Sequence, residues 1–208
     1  MIPIETLSVF IAASVALALA PGPDNIFVLT QSALHGRIAG LFVTVGLCTG
    51  LIVHTAAVAL GVAAIFATSA LAFTILKTIG AAYLLYLAWQ AFRAGTAALS
   101  NNQGPALSHR QLYGLGIVMN ITNPKVAIFF LAFLPQFADP AHGALPLQIF
   151  IFGGLFILAT LLVFGGVAWF SGFIGEWLKG SARAQRNLNW LAGTVFIGLA
   201  VHLLAQER

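Results

Sequence analysis

The chain has 208 residues, 60% hydrophobic and 7% charged, with a formal net charge of +4 and a mean hydropathy of +0.99. Soluble domains carry about a quarter charged residues, so this composition excludes a soluble enzyme or binding domain and leaves an all-α integral membrane protein. The positive balance is no nucleic-acid signal, because Arg37, Arg93, Arg110, Lys179, Arg183 and Arg186 gather in short connections, and the lone Cys48 excludes an internal disulfide.

At about 20 apolar residues per crossing, the pattern predicts six spans. Their approximate limits are residues 7–29, 38–66, 69–92, 112–137, 145–170 and 188–204. The first is read as a span and not as a secretion signal, although Ala18-Leu-Ala20 mimics a cleavage site. Glu5 precedes it, no Lys or Arg does, and Pro21 would stand directly after the cut.

That first span contains Pro21, Gly22, Pro23, Asp24 and Asn25. Two prolines remove backbone donors and clash with the preceding turn, so two half-helices joined by an irregular piece are expected. Irregular backbone at membrane depth is tolerated only where protein buries it or a wet cavity receives it. A carboxylate there costs at least about 2.5 kcal/mol, so Asp24 calls for a role. One reading has Asp24 or Asn25 accept hydrogen bonds from the freed N–H groups of the second half-helix. The other has them line a transport site, and the two are compatible.

In the second span, Gly36 with Gly40 and Gly46 with Gly50 are spaced i, i+4, a smooth face for a neighbouring backbone. His54 is either a proton relay or a hydrogen-bonding core residue. The third span holds Lys77, which can snorkel outward or turn to a partner. After it, residues 94–111, centred on Ser100-Asn-Asn-Gln-Gly-Pro105, read as a linker between halves 1–93 and 112–208 of one transporter domain covering 1–208.

The fourth span breaks at Asn120-Ile-Thr-Asn-Pro-Lys125, with Asn120, Asn123, Pro124 and Lys125 as candidate site residues. Lys125 lies near mid-depth, far from either interface, and is expected to pair with the carboxylate of Asp24 or of a substrate. The two breaks recur at an offset of 101 residues, and Gly50 with Gly154 and Gly61 with Gly165 at 104. Halves of three spans each must insert in opposite senses, which predicts two inverted three-helix repeats with broken first and fourth helices.

Connections one, three and five hold the basic residues and would face the cytoplasm, so both termini would face out. Trp89, Tyr113, Trp177 and Trp190 form the aromatic belt on that cytoplasmic side. The sequence has no nucleotide loop, paired-cysteine metal motif or serine with a plausible base, so no cofactor or metal is expected and ATP-driven pumping lacks support.

Ala20-Pro-Gly-Pro-Asp24, Gly80-Ala-Ala-Tyr-Leu84, Asn123-Pro-Lys125 and Leu191-Ala-Gly193 together resemble the LysE/RhtB family of bacterial amino-acid exporters. The resemblance covers the whole chain. It implies a multi-pass carrier of the bacterial inner membrane that expels amino acids or close derivatives, driven by proton antiport. It also carries Pro21, Gly22, Pro23, Asp24, Asn123, Pro124 and Lys125 over as motif positions. Substrate and proton would compete for Asp24. The alternatives are a carrier of another small solute or a cation, an intramembrane enzyme, and a membrane assembly factor. A homo-oligomer is left open.

Overall fold

The computed structural model describes residues 2–68, 70–94, 106–174 and 181–205. The linker centre at 100–105, Trp177 and Lys179 lie outside them. All regular structure among the described residues is helical.

Helix α1 (Ile4–Leu19) stops where Pro21 and Pro23 withdraw their donors, Gly22 is fully extended, and α2 (Pro23–His35) starts with proline in its first turn. The two meet at 59°. Gly36 then adopts φ +86°, a conformation that suits only glycine well, ending α2 and turning the chain directly into α3 (Arg37–Thr68). Helix α4 (Ala70–Arg93) follows. In the second half, Ser108 and Gln111 cap each other's backbone at the start of α5 (His109–Thr122), a reciprocal capping box. After Asn123 comes the short α6 (Pro124–Ile128), bent 51° from α5. It runs into a π-helical turn at Phe129–Phe133 and a 3₁₀ turn at Leu134–Phe137. Pro135 cannot donate to the carbonyl of Leu131, and the Leu134 N–H reaches back to Phe129, widening the turn. Helices α7 (Leu145–Trp169) and α8 (Ala182–Ala205) complete the bundle.

Three helices are long and apolar enough to cross a membrane, and the two bent pairs raise the number to five among the described residues. Leu60, Leu162 and Phe173 stand on the outside at 78, 69 and 73% exposure, as side chains facing acyl chains would.

Helix α5 packs on α3, α1 and α2 on α7, α3 on α7, and α4 on α8. Glycines set the closest approach. A Cβ on Gly46 would fall on the Tyr113 carbonyl, and one on Gly50 would stand 2.7 Å from Asn120 Cβ, so these two do admit α5 to the backbone of α3. Gly40 instead faces Ser32, and Gly36 faces open space. The expected face is therefore split between two neighbours, because α3 turns its successive faces to α2 and α5. Nor are Gly50 and Gly154 equivalent: Gly154 meets nothing within 4 Å, and Gly153 is the one pressed against Thr55.

Two apolar clusters fill the bundle. The larger is aromatic: Phe10, Phe129, Phe133, Phe137, Phe152 and Phe156 pack ring to ring toward the end that carries Pro3 and Asp139. The smaller, built on Val28, Val43, Leu47, Leu112 and Phe164, fills the end near Arg37. Gln148 fastens the turn before α7, donating to the carbonyls of Asp139 (2.7 Å) and Gly143 (3.0 Å). Lys77 donates to the Leu204 carbonyl at 3.4 Å, near the C-terminal end of α8 where a cation is favoured.

Candidate functional site

In an unbroken helix every carbonyl accepts from the N–H four residues later. Pro21 has no N–H for Leu17, and Pro124 has none for Asn120. The site is built around the carbonyls these prolines strand, since burying such a group unpaired at membrane depth costs several kcal/mol.

At the first break the donors come from side chains. Asn25 Nδ2 donates to the Ala18 carbonyl at 2.7 Å. Lys125 Nζ, from the other break, donates to Ala20 at 3.0 Å and to Leu17 at 3.3 Å. Gly22 leaves room for this: a Cβ there would stand 3.1 Å from the ammonium. At the second break the Asn123 N–H and His54 Nε2 both reach the Asn120 carbonyl, at 3.1 and 3.2 Å. A carbonyl only accepts, so Nε2 is the protonated ring nitrogen. Asn123 Oδ1 accepts from the Lys125 N–H at 3.0 Å and caps α6.

Asp24 is 3% exposed and Lys125 8%, in the first turns of α2 and α6 respectively. The amides of Asn120 and Asn123 stand beside the Asp24 carboxylate. Asp24, Asn120, Lys125 and Thr160 line one small cavity of about 20 Å³, walled by Leu51, Phe156 and Phe164 among others. That is room for a water molecule and far too little for an amino acid. Asp24 Oδ1, Asn120 Oδ1, Asn123 Nδ2 and Thr160 Oγ1 are buried with no hydrogen-bond partner among the described residues.

The structure therefore brings Asp24, Asn120 and Lys125 to one cavity and departs from the expected roles in two respects. Neither Asp24 nor Asn25 accepts the cap of α2. Gly22 holds that position without a side chain, and Asn25 points backward as a donor to α1. No ion pair joins Asp24 to Lys125. The ammonium turns instead to two carbonyls that have lost their own donors at the negative end of a helix dipole. Two residues were not singled out for this site. Thr160 interrupts an otherwise apolar run in α7, and that interruption was the available signal. His54 offered its residue type but no hint of its partner.

A second cavity, of about 320 Å³, opens at the Pro3 end among Glu5, Gln136, Phe137, Asp139, His142 and His202. Phe137, Phe133, Phe129 and Phe156 form a continuous column from it to the inner cavity, with ring centroids 5.0, 4.8 and 5.2 Å apart.

The family model of the LysE type translocator matches residues 15–207. The chain belongs to the LysE type translocator family. The homoserine/homoserine lactone efflux proteins of Salmonella typhimurium and Salmonella typhi are 36% and 35% identical to it, over 96% of this chain and 95% of theirs. An uncharacterized membrane protein of Vibrio cholerae is 31% identical over 96% of both chains. No solved structure matches. This LysE type translocator is a multi-pass bacterial membrane protein. Its matched region contains both proline breaks and the whole inner cavity.

Proposed function

We propose that the chain is a secondary exporter of amino acids or close derivatives across the bacterial inner membrane, working by proton antiport. The observation that carries this reading is the inner cavity: an acid and a base from two broken helices meet where the backbone is irregular, around buried polar atoms that lack partners. A zwitterion supplies what they lack. Its ammonium suits Asp24 Oδ1, and its carboxylate suits the Lys125 ammonium. The family and the names of the two Salmonella relatives support the same class of substrate.

In this reading α4 is the sixth crossing, and 1–93 and 112–208 are inverted repeats within a single transporter domain. The packing supports it. The first span of each half lies on the second span of the other, the second spans lie on each other, and so do the third spans, as a two-fold axis in the membrane plane would arrange them. The basic connections face the cytoplasm, and the wide cavity with its aromatic column faces out.

A cavity of about 20 Å³ belongs to a closed state, so transport requires the walls to separate at one end and then at the other. The capping role of Lys125 offers the coupling. A substrate carboxylate that draws the ammonium away leaves the Leu17 and Ala20 carbonyls without donors, which favours a rearranged end of α1. A proton on Asp24 removes the charge that holds the substrate ammonium, so proton binding and substrate binding exclude each other, and proton entry goes with substrate release.

Purified protein in liposomes preloaded with a panel of amino acids provides the test. Efflux is expected to rise with an inward proton gradient, and Asp24→Asn is expected to lose that dependence. Efflux of none of them would remove the proposal, and efflux indifferent to the gradient would remove the antiport. Transport of a bare cation in place of amino acids would favour the cation-carrier alternative.

A further inference from the structure

The column of rings stands between the two cavities and closes one from the other. Phe129, Phe133 and Phe137 form one side of it, and Phe10 of α1 with Phe152 and Phe156 of α7 the other. Burying a zwitterion among aromatic rings is costly, so the rings must part before one passes. The two sides are not equally able to move. Helices α1 and α7 are regular where they carry their rings. The opposite wall changes helix type twice, from α to π at Phe129 and from π to 3₁₀ at Leu134. Pro135 holds the wide turn: it offers no N–H to the Leu131 carbonyl, and the Leu134 N–H is drawn back to Phe129. A π turn holds about one residue more than an α turn, so losing it re-aims the side chains at its end and beyond by about 100°. Such a shift carries Phe133 and Phe137 off the column.

The back of this wall is smooth. Ala132, in the π turn, lies against Gly80 of α4, where a Cβ would fall on the Ala132 methyl. Small residues facing each other let two helices touch without interlocking side chains. Its leading end is tied to the inner cavity, because the Phe129 N–H donates to the carbonyls of Lys125 and Val126 in α6. We infer that residues 129–137 are the outer gate of the translocator, opened by a one-residue change of register at the π turn, with Pro135 holding the closed register and Gly80 giving the turn a surface to rotate on. This rests on the exporter reading above. Lys125 stands one turn before Phe129, so a substrate that draws its ammonium from the carbonyls of α1 acts on the helix that leads into the gate.

The test uses the full-length protein carrying Cys48→Ala and Phe133→Cys, in liposomes loaded with a mixture of the twenty common amino acids or with none. Trimethylammonioethyl methanethiosulfonate, which does not cross lipid, is added outside, and the rate at which it modifies the thiol at 133 is read. Phe133 is 1% exposed, so modification should be slow without amino acids. During efflux it should quicken roughly tenfold, as the open register becomes populated. Adding Pro135→Ala returns a donor to the Leu131 carbonyl and favours the α register, so it should quicken modification even without amino acids. If Phe133→Cys does not accumulate or export, Phe129→Cys takes its place with the same expectations. A rate that is the same with and without efflux would overturn the gate. A rate that rises with efflux but does not rise with Pro135→Ala would overturn the change of register and assign the opening to α1 or α7. Both results leave the exporter reading standing. A parent that exports none of the amino acids would overturn that reading, and the gate with it.

Discussion

The two proline breaks face the same problem and solve it differently. The second is self-contained: Asn123 caps α6 with its own side chain, its N–H returns to the Asn120 carbonyl, and His54 adds a second donor from the adjacent α3. The first has glycine where a cap would stand, and two of its stranded carbonyls depend on a lysine more than a hundred residues away. The dependence runs one way, so the charge of Lys125 belongs structurally to the first break although its backbone belongs to the second. The two segments are tied by an ammonium on helix-end carbonyls, with no carboxylate in the tie.

The sharpest way to break this asymmetry is Lys125→Met, which keeps the length and removes the donors. Two buried carbonyls lose charge-assisted hydrogen bonds. Hydrogen bonds to charged groups contribute roughly 1.5–3 kcal/mol each, so a loss on the order of 3 kcal/mol is expected, or about 10 °C in Tm for a chain of this size. Thermal unfolding in detergent measures it. A Tm within 2 °C or so of the parent would mean that the carbonyls find other donors and that the first break does not depend on the second.

The glycines make the comparison at the level of the repeats. Gly50→Ala puts a Cβ into Asn120 and should cost about 1–3 kcal/mol, because α5 cannot back away without opening its contact with α3. Gly154→Ala, at the position the sequence offset matches to Gly50, meets open space and should be neutral or slightly stabilising. Equal losses in Tm would restore the equivalence that the packing denies. Asn123→Ala should cost less than Gly50→Ala, about 1 kcal/mol or 2–4 °C, as an ordinary N-cap does, with the His54 bond to Asn120 left in place.

What could be read from the chain alone follows from where each signal resides. Proline, glycine and charge inside apolar runs are local marks, so the two breaks and the places of Asp24 and Lys125 in them were legible without the fold. The partners were not. Helix α7 is apolar on every side, so nothing in its pattern says that Thr160 faces the cavity and not lipid. The same blindness to rotation hid the reach of His54 to Asn120 and the turning of Gly40 to α2 while Gly46 and Gly50 face α5. Opposite charges at matching breaks suggested an ion pair, because sequence reports charged side chains readily and stranded carbonyls hardly at all.

Asp24→Asn is expected to have the smallest effect on stability and to decide most directly between a charge pair and a charge on carbonyls. In a buried ion pair, removing one member strands the other and costs roughly 3–5 kcal/mol. Here Lys125 keeps both of its carbonyl partners when Asp24 changes, so nothing is stranded. One carboxylate oxygen of Asp24 has no hydrogen-bond partner, and replacing a buried acid with an amide of the same shape removes a charge that the surroundings hold poorly. The variant should melt within about 2 °C of the parent, or above it, while losing gradient-driven efflux. A fall on the order of 10 °C would show that the carboxylate supports Lys125 after all, and the ammonium would have to be returned to an ion pair across the cavity.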